Sequence, residues 1–87
     1  MSLEQPIEIG KFFKNRKGDI VVVQIKEFEG AVFADIRQFF TGEDGVTRPT
    51  KRGVAISLRK LEELARLVAK ARAVAIERGL IREEGSE

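Results

Sequence analysis

The chain contains no cysteine, no histidine, no tryptophan and no tyrosine. Without cysteine, neither a disulfide nor a thiolate metal site can form. Without histidine, the chain lacks the usual general base, the commonest zinc ligand and the side chain that titrates near neutral pH. There is no metal-ligand cluster and no glycine pattern of a phosphate loop, so neither an enzyme nor a cofactor is expected. No apolar run is long enough to span a bilayer and no signal peptide is visible, so no membrane partner is expected. A cytoplasmic protein is expected, nucleoid-associated if the cell is prokaryotic.

What is present is short and charged. Eighty-seven residues make one domain. It is expected over residues 5–80, followed by a charged, flexible tail at 81–87. A chain of this size buries only about 60% of its unfolded surface, so its core is thin and dimerisation is a common remedy. The net charge of +2 is unevenly spread. Between Lys11 and Arg59 ten basic residues face six acidic ones, so this segment is more positive than the whole and forms the electropositive half.

The apolar pattern reads as four strands and a helix. Ile7 to Lys14 is a strand candidate with Ile7, Ile9 and Phe13 on one side, closed by a turn at Asn15-Arg16-Lys17-Gly18. Asp19 to Phe28 alternates, with Val21, Val23 and Ile25 on one face and Val22, Gln24, Lys26 and Phe28 on the other. Glu29-Gly30 fits a two-residue hairpin link, although Glu is a poor first residue. Ala31 to Phe40 follows, with Phe33, Asp35, Arg37 and Phe39 sharing a face. Val46 to Ile56 is an interrupted strand, because Pro49 and Gly53 argue for an edge or a bulge. Links this short pair strands antiparallel.

Ser57 is a good N-cap, and no Gly or Pro occurs again until Gly79, which supplies a C-terminal stop. Leu61, Leu64, Ala65, Val68, Ala71 and Ala75 form a stripe at helical spacing. With the flanking Leu67, Val74, Leu58 and Ile76 the apolar arc spans about 200°, twice what one core needs. One flank is expected on the sheet and the other on a second copy. Leu67, Val68, Ala71 and Val74 are the expected dimer surface.

Single-stranded nucleic acid is held by a basic groove that follows the phosphates and by aromatic rings that stack on bases. Lys26, Arg37, Arg48, Lys51, Arg52, Phe28 and Phe40 offer this combination on strands and their turns. Each also has a structural role open to it. Arg37 can pair with Asp35 on its own face, and Lys51-Arg52 can be protective charge on an edge strand. Phe28 and Phe40 can pack at the edge of the core. Phe33 and Phe39 read as packing residues. Phe12 and Phe13 point opposite ways, so at least one of them is expected inside.

Five segments resemble the transcriptional positive cofactor four family of coactivators. They are Ile9-Gly10-Lys11, Lys26-Glu27-Phe28-Glu29-Gly30, Asp35-Ile36-Arg37-Gln38-Phe39-Phe40, Arg48-Pro49-Thr50-Lys51-Arg52-Gly53 and Ile56-Ser57-Leu58. The resemblance runs from about Ile9 to about Leu67 and is closest to compact prokaryotic or viral members. It implies an α+β fold: a curved four-stranded antiparallel sheet, then one C-terminal helix, in a homodimer. It also implies sequence-tolerant binding of single-stranded or melted DNA in transcription, replication or repair. RNA binding and a dimeric protein adaptor are the alternatives. Carried over by position, Lys11, Phe28, Arg37, Phe40, Arg48, Lys51 and Arg52 match positions of DNA contact. The chain departs from the family in several places. Glu29 and Ala31 stand where eukaryotic members tend to carry lysine, and Phe40 replaces tryptophan. Val54-Ala55 is a two-residue excess in one alignment. The first hairpin is longer, and its Lys14, Arg16 and Lys17 are additional candidates for contact.

Overall fold

The computed structural model describes residues 3–81; the expected tail falls, from residue 82 onward, outside the described residues. Four strands, β1 (Ile7–Phe13), β2 (Ile20–Phe28), β3 (Ala31–Thr41) and β4 (Thr47–Ser57), precede one helix, α1 (Leu58–Glu77). The strands form one open antiparallel sheet in the order β1-β2-β3-β4, so each hairpin places successive strands side by side. This is the α+β architecture expected from the alternation and the short links.

The turns follow from their residues. In the β1–β2 turn the Asn15 Oδ1 accepts from the backbone N–H groups of Lys17 (3.0 Å) and Asp19 (3.3 Å). Between β2 and β3, Glu29 and Gly30 both have positive φ, 52° and 85°, and Phe28 pairs directly with Ala31. This is a two-residue turn of the type whose twist matches a hairpin. Glu29 bears the steric cost of a left-handed backbone, about 1 kcal/mol for a residue with a Cβ. Glu29→Asn is therefore expected to stabilise the protein by up to about 1 kcal/mol, read as a rise in thermal midpoint. An unchanged or lowered midpoint would show that Glu29 makes a compensating contact.

Two irregularities shift the expected faces. A bulge between Glu8 and Gly10 takes Ile9 out of register, so Ile7 pairs with Ile25 while Phe13 pairs with Ile20. Ile25 and Ile20 are five residues apart on one strand, so Ile7 and Phe13 lie on opposite faces, not on the shared side that simple alternation gives. In β4, Gly53 pairs with Arg37 and Pro49 with Phe39. Thr50, Lys51 and Arg52 thus stand opposite Gln38 alone. The excess length of this strand is absorbed there, whereas Val54 and Ala55 stay in the regular ladder opposite Ile36 and Asp35.

The helix starts directly after Ser57, which has extended backbone, but the Ser57 hydroxyl makes no capping bond. It ends as Gly79 predicts. Gly79 has φ 74°, its N–H bonds to Ile76 O (3.0 Å), and the Leu80 N–H reaches Ala75 O (2.8 Å). This pair of bonds closes the last carbonyls in a Schellman motif. α1 touches only β3 and β4 and contributes no buried residue. Among the described residues the buried apolar side chains are Val22 and Ala34. Leu61, Leu64, Ala75 and Ile76 are half-buried. Leu67 (50%), Val68 (58%) and Val74 (37%) are exposed, as is Ala71.

Candidate nucleic-acid interface

The register places one row of residues straight across the sheet. Lys11 pairs with Val22, Val22 with Arg37, and Arg37 with Gly53. Directly paired residues point to the same side, so Lys11 and Arg37 share a face. Lys26 lies four residues from Val22 and Phe28 six, so both join that face by the two-residue period of a strand. One side of the sheet therefore carries Lys11, Lys26, Arg37 and Phe28. Phe28 stands at the hairpin end, 67% exposed.

Arg37 is held in place from both ends of its guanidinium. Its Nε donates to Asp35 Oδ2 (2.9 Å) and its Nη2 to Asp35 Oδ1 (2.8 Å). Its Nη1 donates to the carbonyl oxygen of Thr50 (3.0 Å). Asp35 is 2% exposed, and the Arg37 side chain 24%. The Asp35 carboxylate, chiefly through these hydrogen bonds, raises the Arg37 pKa still further above its usual value, so Arg37 stays charged at any working pH. Three of its five N–H donors are used internally, which leaves two for an external anion.

The same arginine shapes the bulge. Besides the bond from Arg37 to its carbonyl, Thr50 donates its hydroxyl to Gln38 O (2.7 Å) and accepts from the Arg52 N–H (3.0 Å). The chain is thereby looped out so that Lys51 and Arg52 stand exposed beside the Arg37 row. Gly53 permits this geometry. A Cβ there would meet Ile36 O at 2.7 Å and Arg37 Cα at 2.9 Å, so only glycine lets β4 approach β3 this closely.

Arg48 and Phe40 form a separate group. Phe40 pairs with Arg48 and is one residue out of step with Phe39 and Arg37, so both lie on the opposite face. Phe40 is also nine positions along β3 from Ala31, the partner of Phe28. The two rings thus stand roughly 30 Å apart at opposite ends of the sheet. Arg48 donates to Asp44, Nη2 to Oδ2 at 2.7 Å and Nη1 to Oδ1 at 3.3 Å. That contact, with the Val46 N–H, holds the Asp44 carboxyl below its usual range. The pair is therefore intact at neutral pH and lost only as pH falls through the lowered Asp44 value. Lys14 extends to Gln38 Oε1 (2.8 Å) on this face as well, while Arg16 and Lys17 are exposed in the turn.

Phe12 and Phe13 depart from expectation. Neither is packed inside; they are 60% and 76% exposed, because β1 is an edge strand and nothing among the described residues covers either face there. The sequence marks Gly53 as a sign of a bulge and Phe13 as a packing candidate, and gives Thr50 no role of its own. The i, i+2 spacing of Asp35 and Arg37 did signal their ion pair, but the part Thr50 and Gly53 play depends on strand register.

An open sheet with cations and an exposed ring on one face, next to a cationic bulge, makes this a small α+β domain with a cationic sheet face. A family model described as Transcriptional Coactivator p15 (PC4) matches residues 10–67, and the chain belongs to that family. The family is a non-enzymatic, DNA-binding one of transcription-coactivator-like character. A crystal structure of a PC4 homolog from Burkholderia pseudomallei superposes with a TM-score of 0.70 at 18% identity, covering 83% of this chain and 96% of that one. The likeness extends the shared fold beyond the family match. No curated protein matches the chain.

Proposed function

We propose that the protein binds single-stranded or locally melted DNA with little dependence on sequence, as a homodimer in the cytoplasm, in transcription, replication or repair. The observation that carries this reading is the gathering of Lys11, Lys26, Phe28 and Arg37 on one sheet face, beside a bulge that exposes Lys51 and Arg52. Cations along an extended path attract phosphates, and an exposed ring offers a base a stacking surface without reading its edges. Duplex DNA keeps its bases stacked on one another, so it can use the cations but not the ring. The dimer is supported by the exposed Leu67, Val68, Ala71 and Val74. Apolar area on that scale is costly to leave in water.

Mobility shifts with matched single-stranded DNA, duplex DNA and single-stranded RNA test the reading. Single-stranded DNA is expected to bind tighter than duplex, and its affinity to fall linearly with salt on logarithmic axes. Each phosphate neutralised contributes a slope of about −0.7. Arg37 and Arg48 already hold carboxylates, so Lys11, Lys26, Lys51 and Arg52 are the main contributors, for a slope of about −3. Equal affinity for duplex and single strand would reduce the surface to plain charge attraction. Tighter binding of RNA than of DNA would make the 2′-hydroxyl part of recognition.

A further inference from the structure

On the face that carries Lys11 and Arg37, a second row runs parallel to theirs. Phe13 pairs with Ile20, Ile20 with Phe39, and Phe39 with Pro49. It lies two residues further along the strands, about 7 Å away. Above it opens a cleft of about 360 Å³ lined by Lys11, Phe12, Phe13, Ile20, Thr41 and Thr47. Its chemistry is mixed in a particular way. Phe13 offers an uncovered ring, 76% exposed. The Thr41 and Thr47 hydroxyls lie 3.1 Å apart, so one donates to the other and the second keeps its own proton to give. Lys11 forms part of the wall. The turn that leads from Phe13 round to Ile20 carries Arg16 and Lys17, both exposed.

We propose that this cleft is a nucleobase subsite that continues the single-strand path past Lys11 towards the β1–β2 hairpin, with Phe13 as its stacking platform. The proposal rests on the single-strand reading above and adds to it a site for one more base. The charge around the cleft decides the occupant. A greasy protein segment or an acyl chain would gain nothing from a lysine in the wall and two cations on the adjoining turn. A nucleotide uses all of them: the ring takes the flat base, the threonine hydroxyls meet polar atoms on its edge, and the cations meet the phosphates on either side. The volume falls in the lower range of small-molecule sites. The row spacing brings the cleft within reach of the nucleotide that follows one held at Lys11 and Arg37.

The test compares wild type, Phe13→Ala and Phe13→Trp on oligodeoxythymidylates of increasing length and on abasic backbones of the same lengths. Phe13→Ala is expected to lose affinity on the order of 10- to 100-fold for the longer oligonucleotides, the effect of one stacked base. It should keep the wild-type salt slope and bind the abasic backbone like wild type. Phe13→Trp should bind at least as tightly as wild type. Thermal melting and sedimentation are run on each variant. A wild type that binds no single strand overturns the parent reading, and the subsite falls with it. A wild type that binds, with Phe13→Ala equal to it at every length, overturns the subsite alone. So does a Phe13→Ala variant whose association state has changed, because the ring would then belong to a contact between protein chains.

Discussion

Replacing Leu67 or Val68 with glutamate is expected to abolish the proposed dimer, leaving either a monomer or an unfolded chain. Both side chains lie half exposed or more on a helix without a single buried residue. In the proposed dimer they are covered by the partner's copy of the same surface. Full burial of one leucine or valine is worth about 1.5–3 kcal/mol. Each side chain is already about half covered in one copy and twofold symmetry counts each substitution twice, so about 1.5–3 kcal/mol of apolar burial is lost. The two carboxylates brought face to face add a desolvation penalty to that. The dimer dissociation constant should therefore rise by a factor of about 100 or more. Sedimentation equilibrium across a concentration series measures it directly. Glu62→Ala, on the same helix and exposed, is the control and should leave association unchanged. A wild type that sediments as a folded monomer at micromolar concentration would remove the basis for this expectation, because its exposed stripe would then need no partner.

The elements that were legible in the sequence are those whose signal is local. Alternation through Val21 to Phe28, the Glu29-Gly30 link and the helix from Leu58 to the Gly79 stop each depend on residues within a few positions of one another, and the structure follows them closely. The bulge at Ile9 was not legible, nor was the geometry of the one in β4. That at Ile9 depends on how β1 meets β2, and that at Thr50–Arg52 on the Thr50 hydroxyl, which donates to Gln38 O of the neighbouring strand, and on Arg37, which reaches the Thr50 carbonyl from that strand. Only Pro49 and Gly53 hinted at the second. The site was legible as chemistry rather than as geometry. Residue type alone joins Phe28 to Phe40 and Arg37 to Arg48. Counting parity across the two-residue hairpin link already puts Phe40 on the other face from Phe28. Alternation says that one of the neighbouring Phe12 and Phe13 faces each side of the sheet; it does not say that either side is covered, and both are exposed.

Arg37→Ala is expected to be the most destabilising single change on the sheet face, and for a reason other than DNA. Asp35 is 2% exposed and Arg37 is its charge partner through two short hydrogen bonds. Removing the arginine leaves a carboxylate buried without a countercharge, a loss of about 3–5 kcal/mol for a fully buried pair. Arg37 is about a quarter exposed, so water can reach part of the site and the loss should lie nearer 2–3 kcal/mol. Thr50 also loses the donor that holds its carbonyl, so the bulge carrying Lys51 and Arg52 loosens. Lowered DNA affinity in this variant would therefore not by itself identify Arg37 as a phosphate contact. Asp35→Asn separates the two roles. It removes the buried charge, keeps a side-chain oxygen to accept from Arg37, and leaves the guanidinium without its anion. Asp35→Asn should therefore be less destabilising than Arg37→Ala. If Arg37 faces a phosphate, it should also bind single-stranded DNA more tightly than wild type, with a salt slope steeper by about 0.7. If the slope is unchanged while affinity follows stability in both variants, Arg37 acts by holding the bulge in place, and the phosphates are met by Lys51, Arg52 and the two lysines of the neighbouring strands.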